Sequence, residues 1–228
     1  MSSSSSLPRS IDKSPRFARV ILVPCIILLL LILFASWFWC RRGPIAGSGG
    51  MPIPGEIVIG VPQFHQGDAR WKNDRLADTP GSLGGEGCAV CSASMILSHY
   101  GVDLDPRRLN RYLRENNGYE GRGWLRWESA AEFTPGLVEK AYEDLPSYAL
   151  IDWNLLRGNP VIIRIRRPDG ITHFMVIVGK RGFDYLIRDP AGSGGGRIYP
   201  LKELGVPVEA LRYYRRLFSF REVSVRSS

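Results

Sequence analysis

The chain has 228 residues, of which 44% are hydrophobic, and a formal net charge of +8. A chain of this length can bury one substantial core, so it predicts one folded domain with an appendage. Residues 1–42 contain six basic residues and one acid, which leaves only +3 for the remainder and argues against a nucleic-acid partner. Paired zinc-ligand spacings, phosphate loops and dinucleotide fingerprints do not occur, so no metal and no cofactor is expected.

The N-terminal region predicts a membrane anchor. A basic, Ser-rich tail at residues 1–19 precedes an uncharged apolar run at 20–39, long enough to cross ~30 Å of hydrocarbon as a transmembrane helix. The run ends in aromatic residues and two arginines, which favours an uncleaved span over a secretory signal peptide. Four basic residues precede the run and two follow it closely, which predicts a single-pass protein with an extracytoplasmic C-terminal domain.

The segment after the apolar run is expected to connect it to the folded domain. Residues 40–56 are rich in glycine and proline, which is typical of a flexible tether. A folded domain is expected over residues 57–222, and it begins with a short β-rich segment. The next 25 residues, up to Gly87, are polar with five glycines and are expected to be mainly loop.

Helices are predicted in the first half of this domain. Apolar and small residues recur on one face from Cys88 onward, and Gly101 provides a stop signal, so a helix is expected to start at the cysteine. Asp105 as N-cap and Pro106 in the first turn predict a second helix that ends at residues 116–118. Further helical stretches are expected at residues 127–134, 136–143 and 149–157.

The second half of the domain has a β-rich pattern. Runs of β-branched and aromatic residues are separated by turn sequences such as PDG and KRG, which predicts an antiparallel sheet. The strand at 173–179 is expected to form a hairpin with the strand at 183–189. Because the helices come first and the strands follow, the predicted fold class is α+β with two layers.

Cys88 is the candidate nucleophile. It follows a glycine-rich turn and opens a helix, where unpaired backbone amides and the helix dipole favour thiolate over thiol. A buried structural cysteine is the alternative interpretation. Cys91 lies one helical turn later, so the two residues could instead form a CxxC redox site or a disulfide, which would silence the nucleophile.

His173 is the candidate general base, because it opens a predicted strand at the edge of the sheet. Asp189 ends the strand expected to pair with it, and antiparallel pairing would bring the two side chains together. A carboxylate there would fix the ring tautomer and stabilise the imidazolium, although Asp189 is also a typical turn residue before Pro190. His65 has no predicted role, and His99 is expected to be structural, near the C-terminus of its helix.

The order and context of these residues resemble a known family. The segments GCAVCSASMILSHYG, VPQFHQGDARW, LLRGNPVII, HFMVIVG and YLIRDP are similar to those of bacterial double-glycine leader peptidases and their papain-like relatives. The resemblance covers residues 57–205 and implies a papain-like cysteine peptidase fold. It implies Cys88 as nucleophile, His173 as general base and Asp189 as the third member. It also implies Gln66 as the side-chain donor of the oxyanion hole, beside the Cys88 amide.

One departure from the family concerns the glutamine. In papain and the leader peptidases it lies only a few residues before the cysteine, whereas here a longer loop separates Gln66 from Cys88, so Gln63 stays open as the donor. The expected activity is hydrolysis of peptide or amide bonds in a peptide or protein substrate. Transglutaminase-like acyl transfer and a non-catalytic peptide-binding module on the same fold stay open, and the oligomeric state is not predicted.

Two further groups of residues have alternative interpretations. Trp71, Trp124 and Trp127 are candidates to line a substrate cleft, with core packing expected for at least two of them. Four arginines near the C-terminus are expected to be solvated strand or turn residues, with a phosphate-binding patch as the less favoured alternative: Arg212, Arg215, Arg216 and Arg221.

Overall fold

The computed structural model describes residues 24–33, 43–192 and 196–217. The chain forms two compact units, residues 1–42 and 43–228. In the first unit, residues 24–33 form a helix, α1. Within the described ranges, no helix combines the length and the apolar character needed to cross a membrane. The two ends of the predicted span, 20–23 and 34–39, lie outside the described residues.

The helices of the second unit lie mostly where the sequence predicts them. They are α2 (Leu83–Glu86), α3 (Cys88–His99), α4 (Pro106–Glu115), α5 (Trp127–Ala131) and α6 (Tyr148–Leu156). α3 begins at Cys88 as predicted, and Gly101 follows its end with a φ of 93°, which glycine adopts without strain. The Asp105 side chain caps α4 by accepting from the N–H of Arg108, and Pro106 occupies the first turn.

The strands form one main antiparallel sheet, which confirms the predicted α+β class. They are β1 (Ser48–Val58), β2 (Tyr119–Glu120), β3 (Trp124–Leu125), β4 (Val138–Asp144), β5 (Val161–Arg166), β6 (Thr172–Arg188), β7 (Tyr199–Pro200) and β8 (Val208–Arg216). The order in the sheet is β1-β6-β5-β8-β4, β7 pairs with β6, and β2 and β3 form a separate ribbon. α3 packs against β6, so the helix that begins at Cys88 lies directly on the strand that carries His173.

The long strand β6 folds back on itself. His173 and Asp189, at its two ends, are in contact at 2.7 Å, whereas a straight strand of 17 residues would separate its ends by roughly 50 Å. Gly182, with a φ of 56°, lies near the middle of β6 and allows a tight reversal. The predicted proximity of the histidine and the aspartate is therefore present in the structure.

Part of the predicted tether is a strand instead. Residues 48–56, expected to be flexible, belong to β1, which pairs with β6 from Ser48 to Val58. Although these residues are rich in glycine and proline, they are held in place by buried hydrogen bonds to neighbouring elements. The Nζ of the fully buried Lys180 donates to the carbonyl of Gly49 at 2.7 Å and to Asp152 Oδ1 at 2.6 Å. The other carboxylate oxygen of Asp152, Oδ2, accepts from the N–H of Met51. These contacts fix the start of β1.

The helix expected at 136–143 is also wrong, because this segment forms β4. Its residues favour a helix in isolation, but they lie at an open edge of the sheet and pair with β8. Cross-strand contacts stabilise the extended conformation. Glu139 forms an ion pair with Arg215 at 2.7 Å, and the rings of Tyr142 and Tyr213 stack. Tertiary pairing therefore outweighs local propensity here.

The buried ion pair between Lys180 and Asp152 leads to a stability prediction. Asp152→Ala removes the carboxylate and leaves the ammonium group buried without its counter-ion, so we expect a loss of about 3–5 kcal/mol in the free energy of unfolding. Urea unfolding of the full-length chain, followed by circular dichroism, measures it. Glu56→Ala is the control, because it breaks the exposed pair with Arg181 and should cost less than about 1 kcal/mol. Equal losses for the two variants would contradict the prediction.

Candidate active site

Cys88 lies at the junction of two helices. It is the first residue of α3, and Gly87 separates it from α2. A Cβ added at Gly87 would collide with the carbonyl of Leu83, so only glycine permits this close junction. The cysteine is 8% exposed and lies in the first turn of the helix, where backbone N–H groups have no acceptor within the helix itself.

His173 is the second residue of β6 and is buried, with only 6% of its surface exposed. Its Nε2 donates to Asp189 Oδ1 at 2.7 Å, and the ring lines the same cavity as Cys88. Burial alone would lower the pKa of His173, but the hydrogen bonds to Asp189 and Cys88 raise it to about 9. Because this value lies above neutral pH, the ring carries its proton at neutral pH.

Asp189 accepts four hydrogen bonds besides the one from the ring, including one from the N–H of Gly192 to its carbonyl oxygen at 3.3 Å. Oδ1 accepts from the N–H of Ala191 at 2.8 Å, Oδ2 accepts from the Tyr199 hydroxyl at 3.1 Å, and the carbonyl oxygen accepts from Gln63 Nε2 at 2.9 Å. Burial acts to raise the pKa of Asp189, but the hydrogen bonds from His173, Ala191 and Tyr199 lower it. The carboxylate is thus ionised and has a fixed orientation.

Sequence reasoning missed Tyr199. Its strand, β7, is only two residues long, and Ile187 of β6 pairs with it. Because Ile187 lies two residues before Asp189, this pairing places the phenol next to the carboxylate. A short β-rich run after the loop at 190–196 was the available signal, but the sequence contains no indication of its register.

The structure separates the two candidate glutamines. Gln66 lines the same cavity as Cys88 and His173, and its Nε2 donates to the carbonyl of Gly84 at 2.9 Å. Its backbone N–H donates to the carbonyl of Pro190, which ties the loop before α2 to the turn after Asp189. Gln63 instead lines a smaller cavity on the other side of Asp189. Of the two, only Gln66 is placed to contact a group at the sulfur.

Cys91 is not bonded to Cys88, and both are free thiols. Cys91 is completely buried. Burial, followed by the nearby charge of Cys88, raises the pKa of the Cys91 thiol far above its ordinary value. Cys91 therefore has the properties of an inert core residue. Within the described ranges, no three His, Cys, Asp or Glu side chains come together as a metal site requires.

The remaining histidines lie away from this arrangement. Both ring nitrogens of His99 contact carbonyl oxygens, those of Gly60 and Gly158, at 3.1 Å. The ring therefore links three segments of chain, which agrees with the expected structural role. His65 lines the smaller cavity, and its carbonyl oxygen accepts from the indole of Trp71.

A cavity of about 580 Å³ extends from Cys88 and His173. Trp124 and Trp127 line it, the first 66% exposed at the mouth and the second buried, while Trp71 is buried in the core. Two of the three tryptophans considered as cleft residues are thus at the cavity. Its volume is sufficient for one or more side chains of a bound peptide.

Arg212 is not the solvated residue that the sequence suggested. It is 7% exposed and lines the cavity, with its guanidinium 4.9 Å from the ring centre of Trp127 and 5.0 Å from that of Phe174. The alternation of β8 was the missed signal, since Arg212 falls on the same face as the buried Ala210 and Tyr214. Arg215 is exposed as expected, and residue 221 lies outside the described range.

Comparisons with known proteins identify the family of this chain. A family model described as the Peptidase_C39 like family matches residues 58–215. The fold is similar to a crystal structure from Bacillus anthracis described as a C39-like peptidase, at 16% identity and a TM-score of 0.46, covering 72% of this chain and all of that one. No curated protein sequence matches the chain. From the extent of the family match, the chain belongs to the Peptidase_C39 like family, which supports a peptidase of the cysteine type.

Proposed function

We propose that the protein is a membrane-anchored cysteine peptidase that hydrolyses peptide bonds through Cys88, His173 and Asp189. The observation that carries the proposal is that Cys88 and His173 line one cavity and that His173 is hydrogen-bonded to Asp189 at 2.7 Å. Cys88 is the nucleophile, His173 carries the proton and Asp189 orients the ring. The substrate would be a peptide or protein segment.

The first half of the reaction forms a thioester. The Cys88 thiolate attacks the carbonyl carbon of the scissile bond, and the negative charge moves to the carbonyl oxygen. The backbone N–H of Cys88 and the Gln66 amide would stabilise this oxyanion; Gln66 Nε2 also donates to the carbonyls of Gly84 at 2.9 Å and Gly85 at 3.5 Å. The C–N bond then breaks while the His173 imidazolium donates its proton to the leaving amine.

The second half of the reaction releases the acyl group. The neutral imidazole accepts a proton from water as the water oxygen attacks the thioester carbonyl. The carbon–sulfur bond breaks, the carboxylic acid product leaves, and the thiolate and imidazolium are restored. Asp189 stabilises the imidazolium in both halves by the 2.7 Å hydrogen bond to Nε2, which keeps the other ring nitrogen directed to the sulfur.

A mass-spectrometric screen of peptide cleavage by the full-length chain in mild detergent tests this function. We expect new N-termini from a mixed peptide library, and their loss after alkylation of Cys88 with iodoacetamide. A primary amine added to the reaction distinguishes hydrolysis from acyl transfer, because a transferase would form an amide with the amine. No cleavage together with an alkylation rate no faster than that of a free thiol would overturn the proposal.

The membrane anchor is a separate part of the proposal. It is supported by the uncharged apolar run at 20–39, whose flanks carry more basic residues on the N-terminal side. We expect the chain to stay with membranes after extraction at alkaline pH. We also expect the C-terminal domain to be digested by protease added to the non-cytoplasmic side. Release into the supernatant would contradict the anchor, and protection from that protease would contradict the orientation.

A further inference from the structure

Two arginines lie side by side on the wall of the cavity. Arg164 on β5 pairs with Ala210, and Arg212 on β8 pairs with Ile162, so the two side chains are diagonal neighbours on one face of the sheet. Both line the cavity that contains Cys88. Burial and, more weakly, the charge of Arg164 lower the pKa of Arg212, whereas Glu143 acts in the opposite direction. Two like charges held this close favour an anion between or beside them.

Arg212 has a hydrogen-bond donor that the protein does not use. Its Nε donates to Glu143 Oε1 at 2.9 Å, while its Nη1 is buried and has no hydrogen-bond acceptor among the described residues. A buried donor without an acceptor is unfavourable, and a native structure retains one chiefly where another partner is supplied. The flat faces of Trp127 and Phe174 hold the guanidinium in place, so the donor has a defined direction.

The surrounding carboxylates do not neutralise this wall completely. Glu143 is shared between Arg212 and Lys140, and Glu209 is shared between Arg164 and Arg166. The four cations of this network, Arg164, Arg166, Arg212 and Lys140, contact three carboxylates, Glu128, Glu143 and Glu209. Among the residues that line the cavity itself, four are arginines and three are glutamates, which leaves one positive charge in excess there: Arg122, Arg164, Arg167, Arg212, Glu86, Glu120 and Glu143.

We propose that Arg212 and Arg164 bind the carboxylate of an Asp or Glu side chain in the peptide substrate, close to the bond that is cleaved. A carboxylate matches the planar donors of a guanidinium, and the aromatic rings can cover its methylene groups. Arg164 and Arg212 line the same cavity as Cys88, so a peptide in this cavity can reach both the arginines and the reacting sulfur. This inference rests on the proposed function because it assumes that a peptide occupies the cavity.

Binding to the Cys88→Ala variant tests the inference without requiring cleavage. The probes are N-acetylated, C-amidated hexapeptides of glycine and alanine in which one position carries either Glu or Gln. The full-length chain in neutral detergent is titrated, and tryptophan fluorescence is followed because Trp124 and Trp127 line the cavity. At one position we expect the Glu peptide to bind about tenfold more tightly than its Gln partner.

A second substitution assigns this preference to the arginine. Added to Cys88→Ala, Arg212→Met should abolish the difference between Glu and Gln. Arg215→Met is the matched control, because Arg215 lies on the same strand but is exposed and pairs with Glu139, and it should preserve the difference. If Arg215→Met removes the preference as well, overall charge rather than this site is responsible and the inference is overturned.

Two results with the native arginines would also overturn the inference. One is equal affinity for Glu and Gln at every position, which does not depend on how Arg212→Met folds. The other is a preference only for a peptide with a free C-terminal carboxylate, which would mean that the chain end is recognised instead of a side chain. If the Glu peptide bound tightly but the native chain, which retains Cys88, did not cleave it, the peptidase proposal would be wrong and the arginine site would still be supported.

Discussion

Cys88→Ala is expected to reduce peptide hydrolysis by about 10³-fold or more, whereas Cys91→Ala should retain most of the activity. The reason is that Cys88, unlike Cys91, lines the cavity beside His173, while the Cys91 thiol is buried away from solvent. Without the sulfur, the protein has no nucleophile at this position and no thioester forms. The rate of cleavage of a peptide identified by mass spectrometry, measured for both variants, checks the prediction.

The two cysteine variants serve as controls for one another. Each loses a single sulfur from the same helix, three residues apart. Cys91→Ala leaves a small cavity in the core, so its thermal unfolding should shift downward while its activity per folded molecule persists. The assignment of the nucleophile would be wrong if Cys91→Ala abolished cleavage in a folded protein and Cys88→Ala did not.

Asp189→Asn is expected to lower kcat/KM at neutral pH by about 10²-fold or more and to move the alkaline limb of the pH profile to lower pH. The native carboxylate is one of the groups that raise the pKa of His173 to about 9. Activity should therefore persist up to about that pH and fall above it, as the ring loses the proton that it donates to the leaving amine. Removing the negative charge lowers the pKa of the ring, so this fall begins earlier.

The pH dependence of kcat/KM across the neutral and alkaline range measures this shift. Asp184→Asn is the matched control on the same strand, because Asp184 makes an exposed ion pair with Lys202. It should leave both the rate and the alkaline limb unchanged. An alkaline limb at the same pH in Asp189→Asn and in the native chain would show that Asp189 does not control the proton on His173.

Local sequence signals predicted the parts of the site that depend on one element. The glycine-rich turn before an apolar helical face placed Cys88 at the first position of α3, and the structure agrees. The Asp105 and Pro106 signals placed α4 with the same success, because capping acts within a single turn. The pairing of His173 with Asp189 was predictable too, since a hairpin is the most local contact that two strands can make.

Contacts between distant elements decided the rest. β4 and the first part of β1 are strands only because β8 and β6 offer them backbone partners, and neither segment has a strong strand pattern of its own. The register of β7, which brings Tyr199 to Asp189, is likewise set by its neighbour.

The sequence by itself determined where α3 and α4 begin, the nucleophile candidate at a helix start and the proximity of His173 to Asp189. Each of these depends on hydrogen bonds or side-chain periodicity within a short stretch of chain. Only the tertiary structure decided that Arg212 is buried against Trp127 at the cavity, with a donor left unpaired. The burial of a charged residue depends on which distant side chains surround it, and a pattern along one strand does not contain that information.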